Sequence, residues 1–307
     1  MLGAILTLAA SFGYALNSIA VRRAMVRGSA LGGVFVTVVA GVPLFALAAL
    51  VTGQLFAIGS FGVLAVLTLM TTGVLHYVIG RYCNYQAVGL IGANRAAPVT
   101  EMQTLVSLSL AIAFLGERVT PPGMVGIALI VAAAFLVAGA SRRPRVAGKP
   151  VPAGGSGDVP ARSQAARGYL FAGLNALFWG GTPVLIRAGL GDSGLGIAGG
   201  LIAYAGAMIV LLPFLGSAGV RKTIGGLDGG SRTWLAVATV AITQGVMFRY
   251  MALAVAPVML VVPLMRAGGI IRIPLTFLVN RRIESFDRLT VASMLISLAG
   301  GVILVLA

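Results

Sequence analysis

Apolar residues in this chain come in unbroken runs rather than in alternation, and short polar stretches separate them. A membrane-crossing helix needs ~20 apolar residues, and ten runs are long enough. They lie near 2–21, 30–52, 61–88, 91–115, 122–140, 168–187, 196–216, 234–255, 257–279 and 289–306. The pattern predicts an all-α membrane protein of ten transmembrane helices. A β-barrel would alternate apolar and polar positions along each strand. The third run is overlong and is expected to tilt, or to end early around Arg81. Only Gly89-Leu90 joins the third run to the fourth, and only the stretch around Ala256-Pro257 joins the eighth to the ninth. Two tight hairpins at matching places suggest a duplication.

Residues 141–167 carry Ser-Arg-Arg-Pro-Arg and then Pro-Ala-Gly-Gly-Ser-Gly-Asp. This basic Pro/Gly/Ser-rich stretch has no apolar face and is expected to be a flexible linker. It divides the chain into units 1–140 and 168–307, with five runs in each. The units match at an offset of 165 residues: Tyr85-Gln-Ala-Val falls on Tyr250-Met-Ala-Leu, Pro98 on Pro263, Arg22 on Arg187, Asn17 on Thr182 and Glu101 on Arg266. Because five is odd, the second unit enters the membrane upside down. That is the inverted repeat of many secondary transporters.

Composition agrees: 59% of the 307 residues are hydrophobic and 9% charged, with a mean hydropathy of +1.02. Soluble chains carry roughly 25% charged residues. The 43 glycines suit close helix approach. The net charge of +15 would suggest nucleic acid in a soluble protein, but the odd-numbered loops hold 15 Lys and Arg and the even-numbered loops 2. The positive-inside rule accounts for that, and it places the linker in the cytoplasm and both termini outside a bacterial plasma membrane. Met-Leu-Gly-Ala-Ile lacks the basic start of a signal peptide, so an uncleaved first span is expected. The single Cys83 excludes an intrachain disulfide.

Polar residues at membrane depth are the candidates for chemistry, since a charge there costs ~2.5–3.5 kcal/mol on insertion scales. Glu101 is the one acidic residue expected inside the bilayer, against Arg81, Arg95, Arg249, Arg266 and Arg272. Arg81, Arg95, Arg249 and Arg272 either face a cavity or snorkel to the interface, whereas Arg266 lies too deep to reach a surface. Glu101 and Arg266 are repeat-equivalent and are expected to pair across the repeat interface. That pair either holds the halves together or switches, with Arg266 gripping an anion and Glu101 taking a proton. Arginine suits carboxylate or phosphate through its planar fork of donors.

His76, Gly80 and Asn84 share one helix face, and the glycine leaves room between the two polar groups. His76 either relays a proton or is satisfied by a neighbouring helix. A lone histidine makes a poor metal site. Tyr85 and Tyr250 either line the cavity or anchor at the interface. Pro183, beside Thr182, is a candidate helix break of the kind that marks transporter binding sites. Pro43, Pro98, Pro213, Pro263 and Pro274 are candidate kinks.

Taken in order, Tyr85-x-Ala-Val with Pro98, Phe-Leu-Gly-Glu-Arg at 114–118, Trp179-Gly-Gly, and Tyr250-x-Ala-Leu with Pro263 resemble the drug/metabolite transporter superfamily, specifically a two-repeat EamA-type permease. Phe12-Gly13 stands where Trp-Gly is common in that family, and Asn-Arg-Arg at 280–282 where Gly-Glu-Arg would stand. The resemblance implies ten helices in two EamA-like repeats, a central cavity and transport of small metabolites. It also implies cytoplasmic termini, against the loop charges, and the loop charges are preferred.

No phosphate-cradling loop, hydrolytic constellation, cofactor motif or metal site is visible, so an enzyme is not expected. The reading is a secondary active transporter that moves a small anionic or carboxylate-bearing metabolite by alternating access. Its partners are substrate and lipid bilayer, not nucleic acid, with a monomer as default and a dimer as alternative. The substrate-binding candidates are Arg266, Arg81, Arg95, Arg249, His76, Asn84, Tyr85, Tyr250 and Asn17, with Glu101 and Arg266 for proton coupling. The alternatives are a flippase for a lipid-linked phosphate and an exporter of neutral solutes.

Overall fold

A computed structural model describes residues 1–116, 120–140, 161–265, 268–284 and 286–306, and all their regular structure is helical. The apolar runs become α1 (Leu2–Ala24) and α2 (Ala30–Val51), the latter started by Ser29, whose hydroxyl accepts the Gly32 amide. Such a cap satisfies one of the donors orphaned at a helix start. A 3-10 helix, Gln54–Ser60, leads into the third crossing. That crossing runs unbroken from Val63 to Ile91 as α3 (Val63–Gly73), a π-helical segment Val74–Gly80 and α4 (Arg81–Ile91). It does not end at Arg81, because the Arg81 guanidinium is satisfied inside the protein.

Gly92, at φ 84°, makes the reversal into α5 (Ala93–Thr100), a backbone region open to glycine at little steric cost. After α5 come α6 (Gln103–Leu115) and α7 (Pro121–Ala140). Residues 141–160 lie outside the described residues. α8 (Ala161–Leu190) starts seven residues before the expected 168, because Ala-Arg-Ser-Gln-Ala-Ala-Arg contains good helix formers despite its polarity. Next are α9 (Gly196–Leu215), the unexpected short α10 (Ala218–Gly225) and α11 (Gly229–Val255). The chain continues with α12 (Val258–Leu264), α13 (Gly268–Asn280) and α14 (Arg288–Leu306). Among the described residues eight helices are long and apolar enough to cross a membrane, with shorter apolar stretches at Pro121–Ala133 and Arg288–Ile303.

The fourth crossing is broken. Pro98 has no N–H for the Asn94 carbonyl, and between α5 and α6 the amides of Met102, Thr104 and Leu105 bond three residues back instead of four. The expected break at Pro183 is absent: α8 runs straight through it.

α1 packs on α11, and α8 packs on α3, α4 and α6, while α7 and α14 pair with each other. One end of the protein gathers basic residues. Arg22 lies 2.9 Å from the Glu284 carboxylate, which accepts the Ala93 and Asn94 amides at the start of α5. Arg23 reaches Asn280 there, and the Ser231 hydroxyl donates to Ala24 O. At the other end Gln54 accepts the Ile197 and Ala198 amides, and Arg187 donates to Leu253 O.

Several contacts recur with both partners shifted by 165. Arg22 donates to Val88 O, as Arg187 does to Leu253 O. Gly3 abuts Ala256, as Gly168 abuts Ile91. Gly80 lies under the Trp179 ring and Gly245 under the Tyr14 ring, while Tyr14 and Trp179 meet edge to face, centroids 6.5 Å apart.

Candidate functional site

A cavity of about 110 Å³ lies at the break in the fourth crossing, walled by α1, α4, α5, α6, α8, α11, α12 and α13. Its polar lining includes Asn17, Asn84, Thr100, Glu101, Arg249 and Arg272. Asn84 and Arg249 lie 165 positions apart, the offset at which the two halves of the sequence match. Glu101, at the turn that ends α5, stands 3.5 Å from the Arg272 guanidinium. Arg272 is thus a neighbour of Glu101 in the structure, and Arg266, the partner expected for Glu101, lies outside the described residues.

Arg249 does not snorkel. It is 4% exposed and donates to Tyr14 Oη at 3.3 Å, His76 Nε2 at 3.3 Å and Thr182 Oγ1 at 3.2 Å. A guanidinium offers donors only, so Nε2 must present its lone pair, and the proton of a neutral imidazole sits on Nδ1. Nδ1 lies 3.0 Å from Thr182 Oγ1, which itself donates to Trp179 O at 2.9 Å. Each polar atom of this chain has one consistent role: Thr182 accepts twice and donates once. His76 stacks on Trp179, centroids 4.9 Å apart, and the indole N–H donates back to His76 O. The room that Gly80 leaves is therefore filled by the Trp179 ring. His76 touches Arg249 from behind and is not among the cavity-lining residues.

Arg81 is also buried, at 1% exposure, but in a separate cluster. It donates to Thr37 Oγ1 at 3.0 Å and Tyr204 Oη at 3.1 Å, and lies over the rings of Tyr77 and Tyr204. Tyr85 and Tyr250 are core residues, each 1% exposed, and not interfacial anchors. Arg95 points elsewhere, 3.7 Å from Asp287. The structure thus brings Asn17, Asn84, Glu101 and Arg249 to one cavity, with His76 behind. It places Arg81 and Arg95 apart from them.

Sequence reading missed Tyr14, Thr37, Tyr77 and Tyr204 as partners of the buried cations. It also missed Glu284, which caps α5. The sequence marks Trp179 through its Trp-Gly-Gly motif and Thr182 through the 165-residue offset from Asn17. Among the described residues, four cavity-lining side chains keep a buried polar atom without a hydrogen-bond partner: Asn17 Oδ1, Thr100 Oγ1, Arg249 Nε and Arg272 Nε. Such atoms cost ~1–3 kcal/mol each, and a polar ligand relieves that cost.

Residues 1–139 match the model of the EamA-like transporter family. Among curated proteins none matches. A solved structure described as "Crystal structure of protein" aligns with 99% of this chain and 94% of its own, at 19% identity and a TM-score of 0.56. That likeness is one of fold.

Proposed function

From the match of residues 1–139 to the EamA-like transporter family, we propose that this chain is a secondary active transporter. It moves a small anionic or carboxylate-bearing metabolite across the plasma membrane by alternating access. The observation that carries this is the cavity itself, where two guanidiniums, Arg249 and Arg272, meet one carboxylate, Glu101, and the three side-chain amides of Asn17, Asn84 and Gln103. Arg249 offers the substrate anion a planar fork. Tyr14, His76 and Thr182 fix its orientation, so little side-chain freedom is lost on binding.

Ten membrane crossings in two inverted repeats complete the proposal. The contacts that recur 165 residues apart support it, as does the edge-to-face meeting of the equivalent Tyr14 and Trp179. Glu101 competes with substrate for Arg272, which couples protonation or counter-anion exchange to loading.

The test is uptake of radiolabelled small carboxylates and phosphates into proteoliposomes containing the full chain, compared with amines and sugars. Losing a charge-assisted hydrogen bond of ~1.5–3 kcal/mol should weaken anion uptake by Arg249→Gln about 10- to 150-fold. Transport of neutral or cationic solutes alone, unchanged in that variant, would overturn the anion reading.

A further inference from the structure

A second cavity, of about 320 Å³, lies away from the first, between the outer faces of α2 and α11. Its walls are Val36, Ala40, Pro43 and Leu44 on one side and Ala236 and Val240 on the other. Arg232 stands at one end, exposed, at the basic end of the protein. We propose that this groove holds one acyl chain of an anionic glycerophospholipid whose phosphate sits at Arg232.

Length supports this occupant. From Arg232 to Val240 is eight residues of helix, or roughly 12 Å at 1.5 Å per residue. One leaflet of a ~30 Å hydrocarbon core is of similar depth. The groove therefore runs from the headgroup level to near the midplane and stops.

Charge supports it as well. Arg232 donates to Gly225 O at the end of α10, a short helix that packs on α2 and carries exposed Arg221 and Lys222. The acidic residue nearby, Asp228, is engaged in starting α11, where it accepts the Ser231 amide. One cation thus stands at the mouth of an apolar slot and two more are exposed on the adjoining α10, which is what a phosphate with an acyl tail needs and a free phosphate does not. Surface basic clusters attract anionic lipid at about 1 kcal/mol per residue, or about fivefold each.

The helix pair at the 165-residue offset, α3 and α9, is packed more closely. Between α3 and α9, a Cβ on Gly206 would come within 2.7 Å of the Met70 Cα, and one on Gly73 would overlap the Ala203 carbonyl. That helix pair is closed. On the α2 side, Pro43 projects into the gap where the 165-residue offset places Met208.

The test is thermal stabilisation of the delipidated full chain in detergent. It compares phosphatidylglycerol, phosphatidylcholine of the same acyl chains, and water-soluble glycerol phosphate. The variants are Arg232→Gln and Ala236→Phe, which remove the charge and fill the slot at two exposed positions. Phosphatidylglycerol should stabilise the wild type at concentrations about fivefold or more below phosphatidylcholine. Each variant should lose that preference while unfolding, lipid-free, at the wild-type temperature. Equal action of the two lipids, an equal effect of glycerol phosphate, or a preference that survives Ala236→Phe would overturn the proposal. If Ala236→Phe unfolds early, the double variant Arg221→Gln/Lys222→Gln decides: retained preference for phosphatidylglycerol counts against the site.

Discussion

Gly80 and Gly173 both sit inside helices, yet they face opposite fates on gaining a methyl group. A Cβ at Gly80 would press into the Trp179 ring, whereas one at Gly173 meets nothing within 4 Å. Overpacking costs ~1–3 kcal/mol, and relieving a helix-interior glycine gains up to ~1 kcal/mol. Gly80→Ala should therefore lower the unfolding temperature, and Gly173→Ala should leave it level or raise it. Equal behaviour of the two would mean that Trp179 does not fill the Gly80 face. At this scale the sequence was informative about types and poor about partners. The depth of Arg81 and Arg249 was legible from the runs around them. Their partners were not, because Thr37 and Tyr204 lie 44 and 123 positions from Arg81, and no period along a helix connects such distant neighbours.

At the scale of elements, helix ends carry much of the specification. Asp287 starts α14 by accepting both the amide and the hydroxyl of Thr290. Burial raises its carboxyl pKa, but the Thr290 bonds and Arg95 outweigh that and hold it below the usual 3.8. A depressed value in the folded state means stability that is present above the unfolded-state pKa and lost as the pH falls through the folded one. Asp287→Ala should thus cost roughly 1 kcal/mol at neutral pH. Its unfolding temperature should converge on that of wild type below about pH 4. A constant gap across the titration would contradict the cap.

The helices themselves were mostly legible, since their cores are plain apolar runs. Pro183 and Pro98 were both candidates and only Pro98 precedes a break, because a proline marks a lost N–H without saying whether neighbours restore the helix. Around Pro183 α8 stays continuous, while after Pro98 the chain turns at Glu101. α10 escaped notice because its eight residues are too few and too basic to read as a span.

At the scale of the whole molecule, the proposed topology puts α10 on the cytoplasmic side and the 3-10 helix at 54–60 outside. In a Cys83→Ala background, Ser60→Cys should react with an impermeant maleimide on intact cells, and Lys222→Cys only after lysis. The reverse labelling would sink the orientation drawn from loop charge. The offset of 165 was legible in sequence from matched prolines and hairpins, and several contacts of the fold recur at that same offset. What the offset hid is asymmetry: at 165 residues from Arg81, Tyr77, Thr37 and Tyr204 stand Val246, Ile242, Ile202 and Val39, so the Arg81 cluster has no counterpart at that offset.

The function proposed for this chain turns on the cavity beside Glu101 being an anion site held by Arg249. The most direct measurement is the thermal shift of the purified protein on adding small carboxylates, phosphates and sulfonates, for wild type and Arg249→Gln. At least one anion class should stabilise the wild type, and that stabilisation should be lost in the variant. Stabilisation by cations or neutral solutes alone, retained in Arg249→Gln, would contradict it.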